Sequence, residues 1–159
     1  MEIKRLLVAN RGEIAIRVMR TAAELGIRTV AVHSADDAQS LHTRCADEVR
    51  ALDGSGVAAY LDAAQLVAVA REAGCDAIHP GYGFLSENAS FARLCADAGL
   101  LFVGPRPATL ELFGDKAAAR RYAELCDVPV IPGTSGATSL DEARAFLASL
   151  GPGSAVMER

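Results

Sequence analysis

Four short apolar runs, Ile3 to Val8, Thr29 to His33, Asp76 to His79 and Leu100 to Val103, are separated by longer stretches in which apolar residues recur every three or four positions. Short runs of this kind read as strands, and the 3.6-residue period reads as amphipathic helix. Their alternation predicts an α/β fold, a doubly wound and mostly parallel sheet with crossover helices on its faces.

Local signals sharpen the helices. From Glu13 to Leu25, the positions Ile14, Val18, Ala22 and Leu25 fall on one predicted apolar face, and Arg17, Arg20 and Glu24 are left outward, with Gly26 as the stop. Asp62 and Gln65 read as a reciprocal cap for a helix running to Ala73, closed by Gly74. Ser86 reads as the cap of the next helix, whose stripe of Phe91, Leu94, Cys95 and Ala98 is predicted to face the core, so any function lies at its amino end. Past Val103 the pattern changes to two helical pieces around the Pro- and Gly-rich stretch Val128 to Gly136. Ser139 with Glu142 forms a predicted capping box for a helix reaching Leu150. Ser154 to Met157 reads as the first half of a strand.

Two polar loops follow two of the strands. Ala9-Asn10-Arg11-Gly12-Glu13 comes after the first, and His79-Pro80-Gly81-Tyr82-Gly83-Phe84-Leu85-Ser86-Glu87-Asn88 lies between a strand and a helix. Glycines on both sides of an aromatic let backbone approach a ligand while the ring packs on it; the same residues also suit a tight strand-to-helix turn. In a doubly wound sheet, ligands sit outside the carboxyl ends of the strands where strand order reverses. If the strands before these two loops are neighbours in the sheet, both loops line one crevice.

Composition narrows the chemistry. The 159 residues are 51% hydrophobic, enough for a sizeable core, which must be mostly aliphatic because there is no Trp. A formal charge of -4 argues against a nucleic-acid surface. Cys45, Cys75, Cys95 and Cys126 have no paired spacing and read as reduced core thiols, which with no signal segment or membrane-length run points to the cytoplasm. His33, His42 and His79 lack zinc-ligand spacing. Lys116 follows the predicted cap Asp115, in the first turn of a helix whose dipole repels it at a cost of about 0.3–1 kcal/mol unless an anion binds nearby. Arg120 and Arg121 add positive charge one turn on. A phosphate site at a helix start and solvated surface charge are both open readings.

Three motifs together, Ala9 to Arg17, His79 to Asn88 and Gly114-Asp115-Lys116, resemble the amino-terminal domain of biotin carboxylase, in that family's order and near its spacing. The resemblance covers essentially the whole chain and implies a Rossmann-like three-layer domain, the pre-ATP-grasp domain, over residues 1–114. Residues 115–159 are then a helical connector and a first strand leading into an ATP-grasp domain. The implied reaction is a two-step ligation in which ATP phosphorylates bicarbonate and the carboxyl group passes to a ureido nitrogen of biotin on a carrier protein. The resemblance implies that Tyr82 and Gly83 contact biotin, that Glu87 lies beside that pocket, and that Lys116 contacts ATP. Arg159 stands where the family usually has an ATP-binding lysine, a planar and larger head in its place. Asn10, Arg11, Glu13 and His79 frame the crevice, or serve as loop, cap and structural residues; Glu87 also reads as a helix-start charge. Arg20 and Glu24, an i,i+4 pair, are implied to meet a second subunit across a two-fold axis.

Most catalytic groups of that family belong to the domains after this stretch, as would the carboxylates that hold magnesium with ATP. The expectation is therefore a domain that is inactive alone, a partner of the missing ATP-grasp and carboxy-terminal domains, a biotin carboxyl carrier protein, a carboxyltransferase and a second copy of itself. Two other classes remain. Asp36 and Asp37 follow the second strand, where an NAD-type dinucleotide-binding module keeps a ribose-binding acid, although Asn10 to Ala15 has one glycine where that fingerprint needs three. A non-catalytic dimerisation module, with the crevice vestigial, is the other.

Overall fold

The computed structural model describes residues 2–134, 136 and 138–155. Its sheet contains five strands: β1 (Arg5–Val8), β2 (Arg28–His33), β3 (Glu48–Ala51), β4 (Ala77–His79) and β5 (Leu101–Phe102), in the order β3-β2-β1-β4-β5. Every pairing is parallel, with Leu7 opposite Val30 on one side and Ile78 on the other. Helices α1 (Gly12–Glu24), α2 (Gly56–Tyr60), α3 (Ala63–Glu72) and α4 (Ala89–Asp97) cover the two faces. The chain winds outward from β1 to β3 and returns to place β4 beside β1, so the strand order reverses between β1 and β4.

The layering follows from side-chain alternation in strands buried on both faces. Leu6, Val8, Ala31 and Ala77 pack with Ala15, Met19 and Ala22 of α1. Leu7, Val30, Val32 and Ile78 point the other way, onto Tyr60 of α2, Leu66 and Ala70 of α3, and Phe91 and Cys95 of α4. The core stripe of α1 is thus turned from the predicted one, to Ala15, Met19 and Ala22, and Leu25 is 70% exposed at the helix end. Small Ala15 and Ala22 let the helix sit close to the sheet, a role that apolar bulk alone does not signal.

Strand β3 has no apolar run. It is a short edge strand carrying Glu48 and Arg50, and such edges are kept charged against further pairing. The sequence pattern therefore passes over it, and over the five-residue α2. Asp62 caps α3 by accepting from the Gln65 amide at 2.9 Å, but the Gln65 side chain does not reach back; it bonds the backbone of Asp53. Asn88, not Ser86, caps α4, accepting from the Phe91 amide at 2.9 Å. Ser86 instead closes a turn to the Gly83 carbonyl at 2.9 Å.

Of the four cysteines, Cys75 and Cys95 are buried, and burial pushes both thiols up to about 11. Cys45 and Cys126 are exposed, against the expectation of four core thiols: one follows a 3-10 turn over Leu41–Arg44 and the other ends a helix. No helix among the described residues is long and apolar enough to cross a membrane.

The chain forms two compact units, one running to Glu111 and the other starting at Leu112. The remaining helices are α5 (Pro107–Gly114), α6 (Lys116–Leu125) and α7 (Leu140–Ser149). Ser139 and Glu142 make the full capping box of α7. The predicted strand from Ser154 to Met157 lies in part outside the described residues, as does Arg159.

The two cap assignments separate in a denaturation experiment. Asn88→Ala is expected to lower stability by about 1 kcal/mol, and Ser86→Ala by less than about 0.5 kcal/mol. Urea unfolding followed by circular dichroism reads both; equal losses would return the cap to Ser86.

Candidate functional site

The crevice lies at the carboxyl ends of β1 and β4, where the backbones touch directly through the Ala9 amide and the His79 carbonyl at 2.9 Å. Asn10 joins the two loops. Its side chain is 1% exposed; Nδ2 donates to the carbonyls of Pro80 at 2.8 Å and Tyr82 at 3.0 Å, and Oδ1 accepts from the Arg11 amide at 2.9 Å. Gly81, at φ +67°, lies against it so closely that an added Cβ would stand 2.6 Å from Asn10 Nδ2 and 2.7 Å from Ile14 Cγ2. Here the glycine is required by both conformation and space.

Gly83 differs. It also has a positive φ, +66°, but an added Cβ would meet nothing within 4 Å, so its Cα face is open. No protein acceptor among the described residues takes its N–H. Tyr82, 59% exposed, stands beside it with its hydroxyl donating to Glu13 Oε1 at 2.8 Å, and that carboxylate holds the phenol above its ordinary range. Glu13 also faces Arg17 at 3.8 Å, one turn along α1. An open glycine with a free donor next to an exposed ring can take a flat, polar-edged ligand.

His79 sits under the loop with Nδ1 accepting from the Gly81 amide at 2.9 Å, and burial holds the imidazole below its usual 6.5. It is neutral and structural in this arrangement. The rings of His33 and His42 bond backbone carbonyls, of Ser34 and Val32, and no group of three or more His, Cys, Asp or Glu among the described residues is placed to hold a metal.

Arg11 turns away from the open face of the loop. Its guanidinium meets Asp37 at 3.1 Å and lies over the rings of Tyr60 at 5.8 Å and Phe84 at 6.0 Å. Burial opposes the charge on Asp37, yet donors from Tyr60 (2.9 Å), Arg11 and Ser40 (2.9 Å) hold it below the usual carboxylate range. Asp37, by its bond and its charge, raises Arg11 above its ordinary value. Burial first, and Asp37 second, push the Tyr60 phenol up to about 12. Asp36 accepts from the Gly56 amide at 2.7 Å. Both acids proposed for a ribose are thus engaged within the protein.

Phe84 has φ +45°, a region that costs an L residue roughly 1–2 kcal/mol. Its ring stacks on Tyr60 with centroids 5.4 Å apart and planes 11° from parallel. Neither Tyr60 nor Phe84 stands out in the sequence as a site residue; the lone aromatic directly after Gly56-Val57-Ala58-Ala59 is the available signal.

The structure therefore brings Asn10, Arg11, Glu13, His79, Tyr82 and Gly83 together. Glu87 is exposed in the turn before Asn88, with no bond or ion pair among the described residues. Arg20 and Glu24 are both exposed on α1, and the expected ion pair between them does not form; the pair on that helix is Glu13 with Arg17. In the second unit, Asp115 caps α6 by accepting from the Ala118 amide at 3.0 Å, which places exposed Lys116 in the first turn. Arg120 is bound to Glu124 at 3.2 Å and at 2.5 Å to the Ile131 carbonyl, so it is committed within the protein.

Comparison with known proteins supplies the family context. The family described as biotin carboxylase, N-terminal domain, matches residues 2–110. Mitochondrial pyruvate carboxylase of Mus musculus is 53% identical over 153 residues, covering 94% of this chain and 13% of its own length. A structure described as the biotin carboxylase domain of a single-chain bacterial carboxylase has 60% identity and a TM-score of 0.89, covering 92% of this chain and 34% of that one. The biotin carboxylase domain dimer of Hydrogenobacter thermophilus 2-oxoglutarate carboxylase, solved with MgADP and bicarbonate, has 42% identity and a TM-score of 0.87, covering 95% and 34%. The chain spans about an eighth of the length of the curated relatives it matches.

Two measurements probe this geometry. Asn10→Asp replaces the buried amide donor with an oxygen facing two carbonyls, and is expected to cost about 3 kcal/mol in chemical denaturation; a loss below about 1 kcal/mol would remove Asn10 as the link between loops. The second concerns His79. Its folded value is depressed, so its contribution to stability is complete above about 6.5 and is lost as pH falls below that toward the folded value. An NMR titration of the His79 ring is expected to give a midpoint under 6.5, and a midpoint above it would contradict the buried, accepting Nδ1.

Proposed function

Because the chain belongs to the biotin carboxylase N-terminal domain family, we propose that it supplies one wall of the biotin site and one phosphate contact to an ATP-dependent biotin carboxylase. The observation that carries this reading is the pairing of exposed Tyr82 with open Gly83 at the strand-order switch point. Biotin on its carrier supplies the ureido nitrogen that receives the carboxyl group. In this chain, the Tyr82 ring packs against the bicycle and the Gly83 N–H is available to the ureido oxygen. Asn10, Glu13 and His79 fix the loop that presents them, Arg11 braces it from behind, and Glu87 lines its rim.

Lys116, in the first turn of α6, meets a phosphate of ATP, since an anion there offsets the repulsion of its ammonium by the helix dipole. Arg159 is assigned to the same nucleotide by its place in the sequence. Magnesium comes with ATP, and the described residues hold no donor set that fits it. Bicarbonate, as in the H. thermophilus relative, is the second substrate. The exposed face of α1 with Arg20 and Glu24 forms the contact with a second copy. A biotin carboxyl carrier protein and a carboxyltransferase are the further partners, in a cytoplasmic, reducing setting that suits the protonated Cys75 and Cys95.

The relatives extend far beyond the stretch that this chain spans, and the chain alone carries no carboxylation in this reading. Bicarbonate-dependent ATP hydrolysis, with magnesium and with and without free biotin, is the test on a folded sample. Release of phosphate at background rate is expected. Turnover that required bicarbonate and rose with biotin would place the catalytic groups inside these 159 residues and overturn the division of labour.

A further inference from the structure

Four segments that are distant in sequence converge behind the Tyr82 loop. Arg11 comes from the turn after β1, Asp37 from the turn after β2, Tyr60 from α2 and Phe84 from the loop after β4. Tyr60 is fully buried, and its hydroxyl is fixed twice, donating to Asp37 at 2.9 Å and accepting from the Ser34 amide at 3.3 Å. The hydroxyl end of the side chain is therefore anchored. Phe84 lies flat on it, and the Arg11 guanidinium, tethered to Asp37, covers both rings.

Phe84 directly follows Gly83, and both have positive φ. An aromatic residue keeps that conformation only where its surroundings over-determine it. Released from Tyr60, the Phe84 backbone would relax toward negative φ and carry the Gly83 N–H and the turn from Ser86 to Gly83 with it. We propose that Tyr60 and Phe84, clamped by Arg11 on Asp37, are positioning residues that hold the Tyr82-Gly83 backbone in its ligand-accepting form. The proposal rests on the reading of this loop as the biotin contact. It adds residues that touch no ligand: the brace acts through backbone conformation, and the energy of aromatic stacking against the core sets the fraction of molecules whose loop is competent.

Amide hydrogen exchange and a free-biotin titration on the ¹⁵N-labelled chain test the loop's conformation and its ligand separately. The Gly81 amide, donor to His79, and the Ser86 amide, donor to Gly83, report the loop; Leu7 and Ile78 report the sheet. Phe84→Leu is expected to speed exchange at Gly81 and Ser86 by about tenfold with Leu7 and Ile78 unchanged, and Phe84→Tyr, which keeps the ring, to restore the parent rates. Biotin is expected to shift the Gly83 amide of the parent, with affinity lower by about tenfold in Phe84→Leu and recovered in Phe84→Tyr. Unchanged loop exchange in Phe84→Leu would overturn the positioning role whatever biotin does. A parent loop that biotin does not shift would overturn the ligand reading, and the exchange rates would still decide the brace. If Phe84→Leu does not fold, Tyr60→Phe, which removes the hydroxyl bonds to Asp37 and Ser34, and Arg11→Met, which removes the guanidinium bond to Asp37, decide it by the same loop amides.

Discussion

The site depends on one buried amide. Asn10 lies at the end of the central strand with almost no exposed surface, and its three hydrogen bonds run to the loop after β4 and to its own chain. A side chain with a donor group and an acceptor group is the right shape for this task, because the carbonyls of Pro80 and Tyr82 need a donor and the Arg11 amide needs an acceptor. Leaving such groups buried without partners costs more than the bonds themselves contribute. The two loops are therefore tied together by a penalty against separation, and Gly81 is forced to be glycine by the amide it covers.

Around this link the charges sort into those that act within the protein and those that face outward. Asp37 is held among the carboxyl-end loops by Tyr60, Ser40 and Arg11, and exposed Asp36 accepts from the Gly56 amide. Asp37 is committed to these partners, and the match to the biotin carboxylase N-terminal domain family sets the dinucleotide-binding reading aside. The front of the crevice presents a phenol bonded to the exposed Glu13 carboxylate, which in turn faces Arg17, beside an open glycine with a neutral imidazole beneath. In the proposed reading, an uncharged bicycle packs on that ring and glycine. The phosphate contact in the same reading is Lys116 in the first turn of α6.

Fold and site were legible to different degrees. The runs ending in Val8, His33 and His79 mark three central or near-central strands because strands buried on both faces must be apolar throughout. Strand β3 shows no such run, since one edge of a sheet needs charge more than it needs apolar surface. The Asp115 cap and the Ser139 capping box were read correctly, because capping is a local matter of one side chain and the next turn. Ser86 and Asn88 are both good caps two residues apart, and sequence does not choose between them; with the Ser86 amide closing a turn on the Gly83 carbonyl, the helix starts only after Asn88. Arg20 and Glu24 have the spacing of an ion pair but point into solvent, where such pairs gain little.

What the sequence determined by itself is the set of short-range facts: the alternation of strand and helix, the caps at Asp62, Asp115 and Ser139, the glycine-hinged loop, and through three ordered motifs the family. Each rests on interactions within a few residues, so spacing carries it. Tertiary structure alone decided that Asn10 bridges loops some 70 positions apart, that Arg11 faces Asp37 and two aromatic rings, and that Tyr60 braces Phe84. These partners meet only because parallel strands bring their carboxyl ends to one edge. Which side chains touch there is set by register and by the return of the chain to β1, and neither leaves a trace in local spacing.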